Sequence, residues 1–180
     1  MKTQLTLGSF ALALLLAGCG DSSVPTEAST VATSATVPAA NPPQAGWTRY
    51  QIAKYQAQID YPNELVAEAG SETGNRFKSA DGSVVMSFEA LPDQGQSLPD
   101  FAKTRKAAQE ATKASVKETH EGGSWYMLVS AKDDKIIYEH GFQRGGIFSI
   151  LTVSYPASTT ATWQPRISDI LKTVIPGTAS

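Results

Sequence analysis

The segment Tyr55-Gln56-Ala57-Gln58-Ile59-Asp60-Tyr61 alternates apolar and polar residues without a fault and stops at Pro62. Successive side chains of an extended chain point to opposite faces, so this pattern predicts a strand with one buried and one wet face. It commits this part of the chain to a sheet. The same period returns further on. Val84, Met86, Phe88 and Ala90 share one parity after an Asp81-Gly82 turn. Trp125 to Ala131 and Lys135 to Phe142 flank Lys132-Asp133-Asp134 as a hairpin, and Ile147 to Tyr155 follows Gly145-Gly146 as a third strand. Trp47 to Ala53 precedes the first segment as its partner.

Two stretches change to a helical period. The first starts near Ser97, with Pro99 in the first turn and Asp100 placed as the far member of a capping box. Leu98, Phe101, Arg105, Ala108 and Thr112 then recur at helical spacing, a thin apolar stripe beyond Phe101. The second begins between Thr160 and Pro165, sets Ile167, Ile170, Leu171 and Val174 on one side, and ends at Pro176. The expected order is four strands, a helix, four strands and a helix. That is an α+β domain: an antiparallel sheet of about six to eight strands with two amphipathic helices packed on its apolar face. Residues 47–176 are about the modal size for one core, and 177–180 form a short tail.

The N-terminus is of another kind. Lys2 is followed by an apolar run, Leu5 to Leu16, of about a dozen residues, too short for the roughly 20 that span a bilayer. Leu16-Ala17-Gly18-Cys19 follows it and resembles the lipobox of bacterial lipoproteins. The resemblance implies a signal peptide over 1–18, cleavage between Gly18 and Cys19, and lipidation of the Cys19 thiol. Two or three acyl chains make a stable anchor where one does not. Cys19 is the one cysteine of the 180 residues, so lipidation accounts for an odd thiol and the mature domain is expected to hold no disulfide. Residues 19–46 are rich in Ser, Thr, Ala and Pro, with Asp21 and Glu27 as the charged residues. They bury too little apolar surface to offset their ordering entropy and are expected to act as a disordered tether, roughly 30 Å end to end. In the sorting pattern of enteric-type bacteria, aspartate directly after the cysteine means inner-membrane retention. Here Asp21 comes one place later, so the expected address is the cell envelope at the outer membrane, facing the periplasm.

Within the domain, four features look alike in a group of small, mostly uncharacterised bacterial envelope proteins. They are a strand ending Tyr61-Pro62, an Arg76-Phe77 to Asp81-Gly82 turn, the hairpin with Tyr138, and a last strand ending Tyr155-Pro156 before a terminal helix. More distantly the order is similar to the fold group of the photosystem extrinsic protein PsbP and the periplasmic lipoprotein DcrB. The resemblance implies a non-enzymatic domain that binds other proteins or assists an envelope assembly, and it assigns no binding residue.

The residues that carry chemistry are sparse. A zinc site needs three or four converging ligands, and with Cys19 acylated only His120, His140 and scattered carboxylates remain, so no metal is expected. His140 shares the parity of Ile136, Tyr138 and Phe142 and reads as a half-buried, hydrogen-bonded strand residue. There is no nucleophile elbow, and Ser124 in Gly122-Gly123-Ser124-Trp125 reads as a turn feeding a strand. Gly145-Gly146 joins two strands and lacks the Lys-Ser/Thr of a phosphate loop. Asp133-Asp134, flanked by Lys132 and Lys135, is a solvated hairpin tip rather than a calcium loop. No cofactor and no catalytic residue are expected.

The net charge of −2 becomes −3 when Lys2 leaves with the signal peptide, so no basic field is available to concentrate nucleic acid. Lys103, Arg105, Lys106 and Lys113 are mixed with Glu110 and alanines and read as a solvated helix face. Two functions then compete. The preferred one is a protein-interaction or accessory lipoprotein with an envelope protein partner, with Trp47, Tyr50, Tyr155 and Trp163 as candidates for an exposed aromatic patch. The other is a small-ligand module or weak hydrolase, with a pocket between the sheet and the helix at 98–113 lined by Tyr126, Tyr138, His140 or Arg144. The proposed contacts are therefore Trp47, Tyr126, Tyr138, His140 and Arg144. The shape of the second sheet face, represented by Gln56, Gln58, Asp60, Ile137 and Glu139, would separate the two.

Overall fold

The computed structural model describes residues 42–179. Gly18, Cys19 and most of the proposed tether lie outside them. Strands β1 (Trp47–Ile52) and β2 (Ala57–Pro62) pair as an antiparallel ribbon, Trp47 opposite Pro62 and Ile52 opposite Ala57. A single 3₁₀ turn, Ala53–Tyr55, joins them and closes with Gln56 in the left-handed region at φ 54°. A larger antiparallel sheet follows. It is built from β3 (Leu65–Ala67), β4 (Gly74–Ser79), β5 (Val85–Pro92), β6 (Ser115–Glu121), β7 (Trp125–Lys132), β8 (Lys135–Arg144) and β9 (Ile147–Pro156). Helix α1 (Leu98–Ala111) lies between β5 and β6 in the chain, and α2 (Thr160–Leu171) follows β9. Among the described residues no helix is long and apolar enough to cross a membrane.

The spatial order of the seven strands is β3-β4-β5-β9-β8-β7-β6. The chain lays β3 to β5 by short turns, leaves through α1 to start again at the far edge with β6, and works back until β9 zips against β5. Eight residue pairs, Val85 with Ser154 through Pro92 with Ile147, make that central seam. The fold is α+β, with a seven-stranded and a two-stranded sheet.

The helices lie on opposite faces of the sheet, not together on one apolar face as expected. β9 explains why. Phe148 and Ile150 belong to a cluster with Leu98 and Ala102 of α1, whereas Leu151, Val153 and Tyr155 belong to the cluster of Trp163, Ile167 and Ile170 of α2. A strand that is apolar at both parities is a central strand covered on both sides. Tyr155 and Trp163, considered above for an exposed patch, are core residues, 1% and 4% exposed.

Strand β2 also departs from the pattern its alternation predicts. Every residue from Ala57 to Pro62 is buried, including Gln58 and Asp60, which the alternation placed in water. Asp60 accepts two bonds from the Arg49 guanidinium, at 2.8 and 2.9 Å, and Gln58 accepts from the Gln51 amide at 2.9 Å. The chain after α2 covers this strand. Ile175 exchanges both main-chain bonds with Gln58, Thr178 donates to the Tyr55 carbonyl, and Gly177 donates to the Ser149 hydroxyl. Residues 175–179 thus run as part of the domain. A side chain at Gly177 would meet the Tyr55 carbonyl oxygen at 3.0 Å, so glycine permits this close approach.

The start of α1 is as the sequence predicts. Ser97 is the N-cap, its hydroxyl accepting from the Asp100 amide at 3.3 Å and donating to the Asp100 carboxylate at 2.7 Å. Beyond Phe101 the inward row is occupied by Arg105. That is the physical reason the apolar stripe is thin.

Candidate functional site

The hairpin of β7 and β8 presents a different surface on each face. On the side shared with α2, Trp125 stands opposite Phe142, Met127 opposite His140, and Val129 opposite Tyr138. The β1–β2 ribbon and α2 cover the β4, β5 and β9 part of this face and reach as far as Ile136 and Tyr138. Trp125, Met127 and Phe142 belong to neither core cluster and are half-buried, as is His140. They cover one another instead. The His140 ring stacks between Trp125, at 5.2 Å, and Phe142, at 4.6 Å. Gly122 makes room for the indole: a Cβ there would stand 2.3 Å from Trp125 Nε1.

Burial pushes the His140 pKa down to about 4, and burial also pushes Tyr138 up to about 12. The imidazole is therefore neutral and the phenol protonated at neutral pH. Their contact, Tyr138 Oη to His140 Nδ1 at 3.1 Å, fits a phenol donating to a ring whose proton sits on Nε2. The result is an uncharged aromatic row, bordered on β6 by the exposed Glu118 and His120, 3.8 Å apart.

On the opposite face the same two strands carry Tyr126 and Glu139 beneath α1. The Glu139 carboxylate accepts from Arg105 Nε at 3.0 Å, Arg105 Nη2 at 2.6 Å and the Tyr126 hydroxyl at 2.7 Å, with the Gln109 amide at 3.4 Å. Burial first, then the Glu139 charge, raises the Tyr126 pKa, and the bond to Glu139 raises that of Arg105. The Tyr126 ring lies across Gly141, where a Cβ would stand 2.0 Å from the ring. Every strong acceptor position of this carboxylate is taken. At 1% exposure it presents no open face.

No family model matches the sequence, and no curated protein matches it. Its likeness appears in three dimensions. Cyanobacterial PsbP (CyanoP) from Synechocystis sp. PCC 6803 superposes with a TM-score of 0.59 at 15% identity, over 76% of this chain and 95% of that one. The fold is PsbP-like. A protein from Bacteroides thetaiotaomicron matches 73% of this chain, which spans about half of it (48%), at 15% identity and a TM-score of 0.43.

On this PsbP-like frame the five proposed contact residues do not form one site. Tyr138 and His140 lie together on the aromatic row. Tyr126 is fully buried on the other face, a correction whose cause is parity: it is one residue out of step with Trp125. Trp47 packs on the α2 core from the start of β1, and Arg144 is exposed at the end of β8. The expected pocket between the sheet and α1 is filled, with Phe101 stacked on Phe148 at 4.0 Å and edge-on to Tyr126 at 6.0 Å. The residues offered as one second face are divided too, since Gln58 and Asp60 belong to the ribbon while Glu139 is 1% exposed under α1. Among the described residues no three His, Cys, Asp or Glu side chains converge as a metal would require.

Sequence reasoning missed Arg105, Glu139, Trp125 and Phe142. The available signal was in β7, where Trp125, Met127 and Val129 alternate with Tyr126 and Leu128 so that both parities are apolar. A strand of that kind is covered on both faces or carries a surface that something else covers.

Proposed function

We propose that this chain is a lipid-anchored envelope protein, held through Cys19, whose PsbP-like domain is a non-catalytic accessory module that docks on a protein partner through the β7–β8 aromatic row. The observation that carries this reading is the row itself. Trp125, His140 and Phe142 stack into an uncharged strip outside both cores, and large half-buried aromatics of this kind dominate protein interfaces. Glu118 on β6, paired with Val129 on the face of the row, makes a partner with a basic rim the better fit. The Leu16-Ala17-Gly18-Cys19 motif supports an anchor at Cys19.

The test is crosslinking of the full-length chain in cells, followed by affinity capture. A single protein enriched by the native chain and lost with Trp125→Ser or Phe142→Ser, while Cys19→Ala separates anchoring from binding, is the expected result. Equal capture by native and Trp125→Ser chains, at equal folded abundance, would remove the aromatic row from the interface.

A further inference from the structure

We infer that the part of the α1-side face left uncovered by α1 is a binding groove for a neutral, polyhydroxylated ligand, a saccharide chain. On β4, β5 and β9 this face forms a hollow of about 560 Å³ beneath the loop that leads into β4. That size lies within the ordinary range for small-ligand sites. Its floor is polar. Ser87 stands between Arg76 on β4 and Thr152 on β9, and Ser154 and Glu89 extend the row along the two central strands. Among the described residues, the side chains of Ser87, Glu89, Thr152 and Ser154 have no hydrogen-bonding partner, and Glu89 is half-buried, whereas the buried carboxylate of this face, Glu139, is saturated.

Three properties select the ligand. First, Arg76 and Glu89 give the lining one charge of each sign, and Arg76 Nε already faces the Glu68 carboxylate at 3.6 Å, so a phosphate or an acidic chain would find no uncompensated cation and would meet Glu89, while a cationic one would meet Arg76. Second, hydroxyls both donate and accept, and so do the hydroxyls of a sugar. A carboxylate that accepts from two neighbouring hydroxyls and a guanidinium that donates to two are matched to vicinal diols. Third, the floor is sheet interior, with the main-chain groups of β4, β5 and β9 already paired, so it offers an extended peptide no strand edge to join.

Gly74 shapes the site. A Cβ there would stand 2.6 Å from the Phe88 carbonyl oxygen and 3.0 Å from Glu89 Cγ, so glycine lets the Glu89 stem lie flat against β4.

The experiment is calorimetric titration of the full-length protein, in a detergent that carries no sugar, with cellotetraose, maltotetraose and tetra-N-acetylchitotetraose at millimolar concentrations. At least one is expected to bind saturably, with affinity reduced about tenfold in Glu89→Ala and in Thr152→Val and unchanged in Trp125→Ser. Valine is well suited to a strand, and the thermal unfolding of each variant checks that it folds. No saturable binding by any of the three, binding indifferent to both groove variants, loss of binding in Trp125→Ser, or equal displacement by an acidic tetrapeptide would each overturn the assignment. Because the aromatic row is untouched by the groove variants, failure here leaves the docking proposal standing, and the reverse.

Discussion

Strands β7 and β8 carry a sealed face and an open one, only one residue apart in register. Under α1, Tyr126 and Glu139 are wholly enclosed, and the single charge there is neutralised by Arg105 at 2.6 Å. On the other side, Trp125, His140 and Phe142 carry no charge at neutral pH and shield one another only in part. A buried charge needs every partner in place, so the first face tolerates almost no change. A half-buried aromatic row needs none, and exchanges its remaining contact with water for a partner at small cost. The difference separates a device that holds the fold from the surface proposed above for docking.

The largest effect is expected from Arg105→Met, which leaves Glu139 buried without its counter-charge. A stability loss of about 3 to 5 kcal/mol is expected by urea unfolding, with Arg105→Met/Glu139→Leu recovering much of it. A loss under 1 kcal/mol would mean that the carboxylate is not sealed. Next comes Gly141→Ala, which drives a methyl group into the Tyr126 ring on the sealed face. Overpacking of about 1 to 3 kcal/mol is expected, and Gly141→Ala/Tyr126→Leu should relieve part of it.

The open face is sharpened by pH. The folded pKa of His140, about 4, lies below the unfolded value near 6.5, so the unfolded chain binds more protons between them. The contribution of His140 is then fully present above pH 6.5 and lost as the pH falls toward 4, by about 2 kcal/mol after allowance for the partly solvated ring. Unfolding free energies measured between pH 7 and 4.5 should fall more steeply for the native chain than for His140→Phe. Parallel curves would show that the ring is not desolvated. The smallest effect is expected from Val66→Ser, at a side chain 64% exposed on the short edge strand β3. A change within about 0.5 kcal/mol there sets the baseline for a surface that neither face uses.

Local signals in the sequence carried far. Ser97 and Asp100 mark the start of α1 because capping is decided within one turn, and Lys132 to Lys135 mark a hairpin because its two strands are adjacent in the chain. The interior of β2 was not legible. Its alternation is real, but the partners that bury Gln58 and Asp60 come from Arg49, Gln51 and residues 173–175, the last more than a hundred positions away. Glu139 was misplaced in the same way, since its acceptor capacity is filled from a helix 34 residues earlier. His140 was legible from its parity with Tyr138 and Phe142, whereas the stack that includes it needed the register between β7 and β8.

By itself the sequence determined the class of the domain, its division into strands and helices, and the inward parity of most strands, because period and turn chemistry act over a few residues. The tertiary structure alone decided that β9 lies beside β5, that the helices take opposite faces, and that Arg105 and Glu139 close one of them. Those outcomes depend on which distant segments meet, and a repeating apolar pattern records that a residue is covered without recording by what.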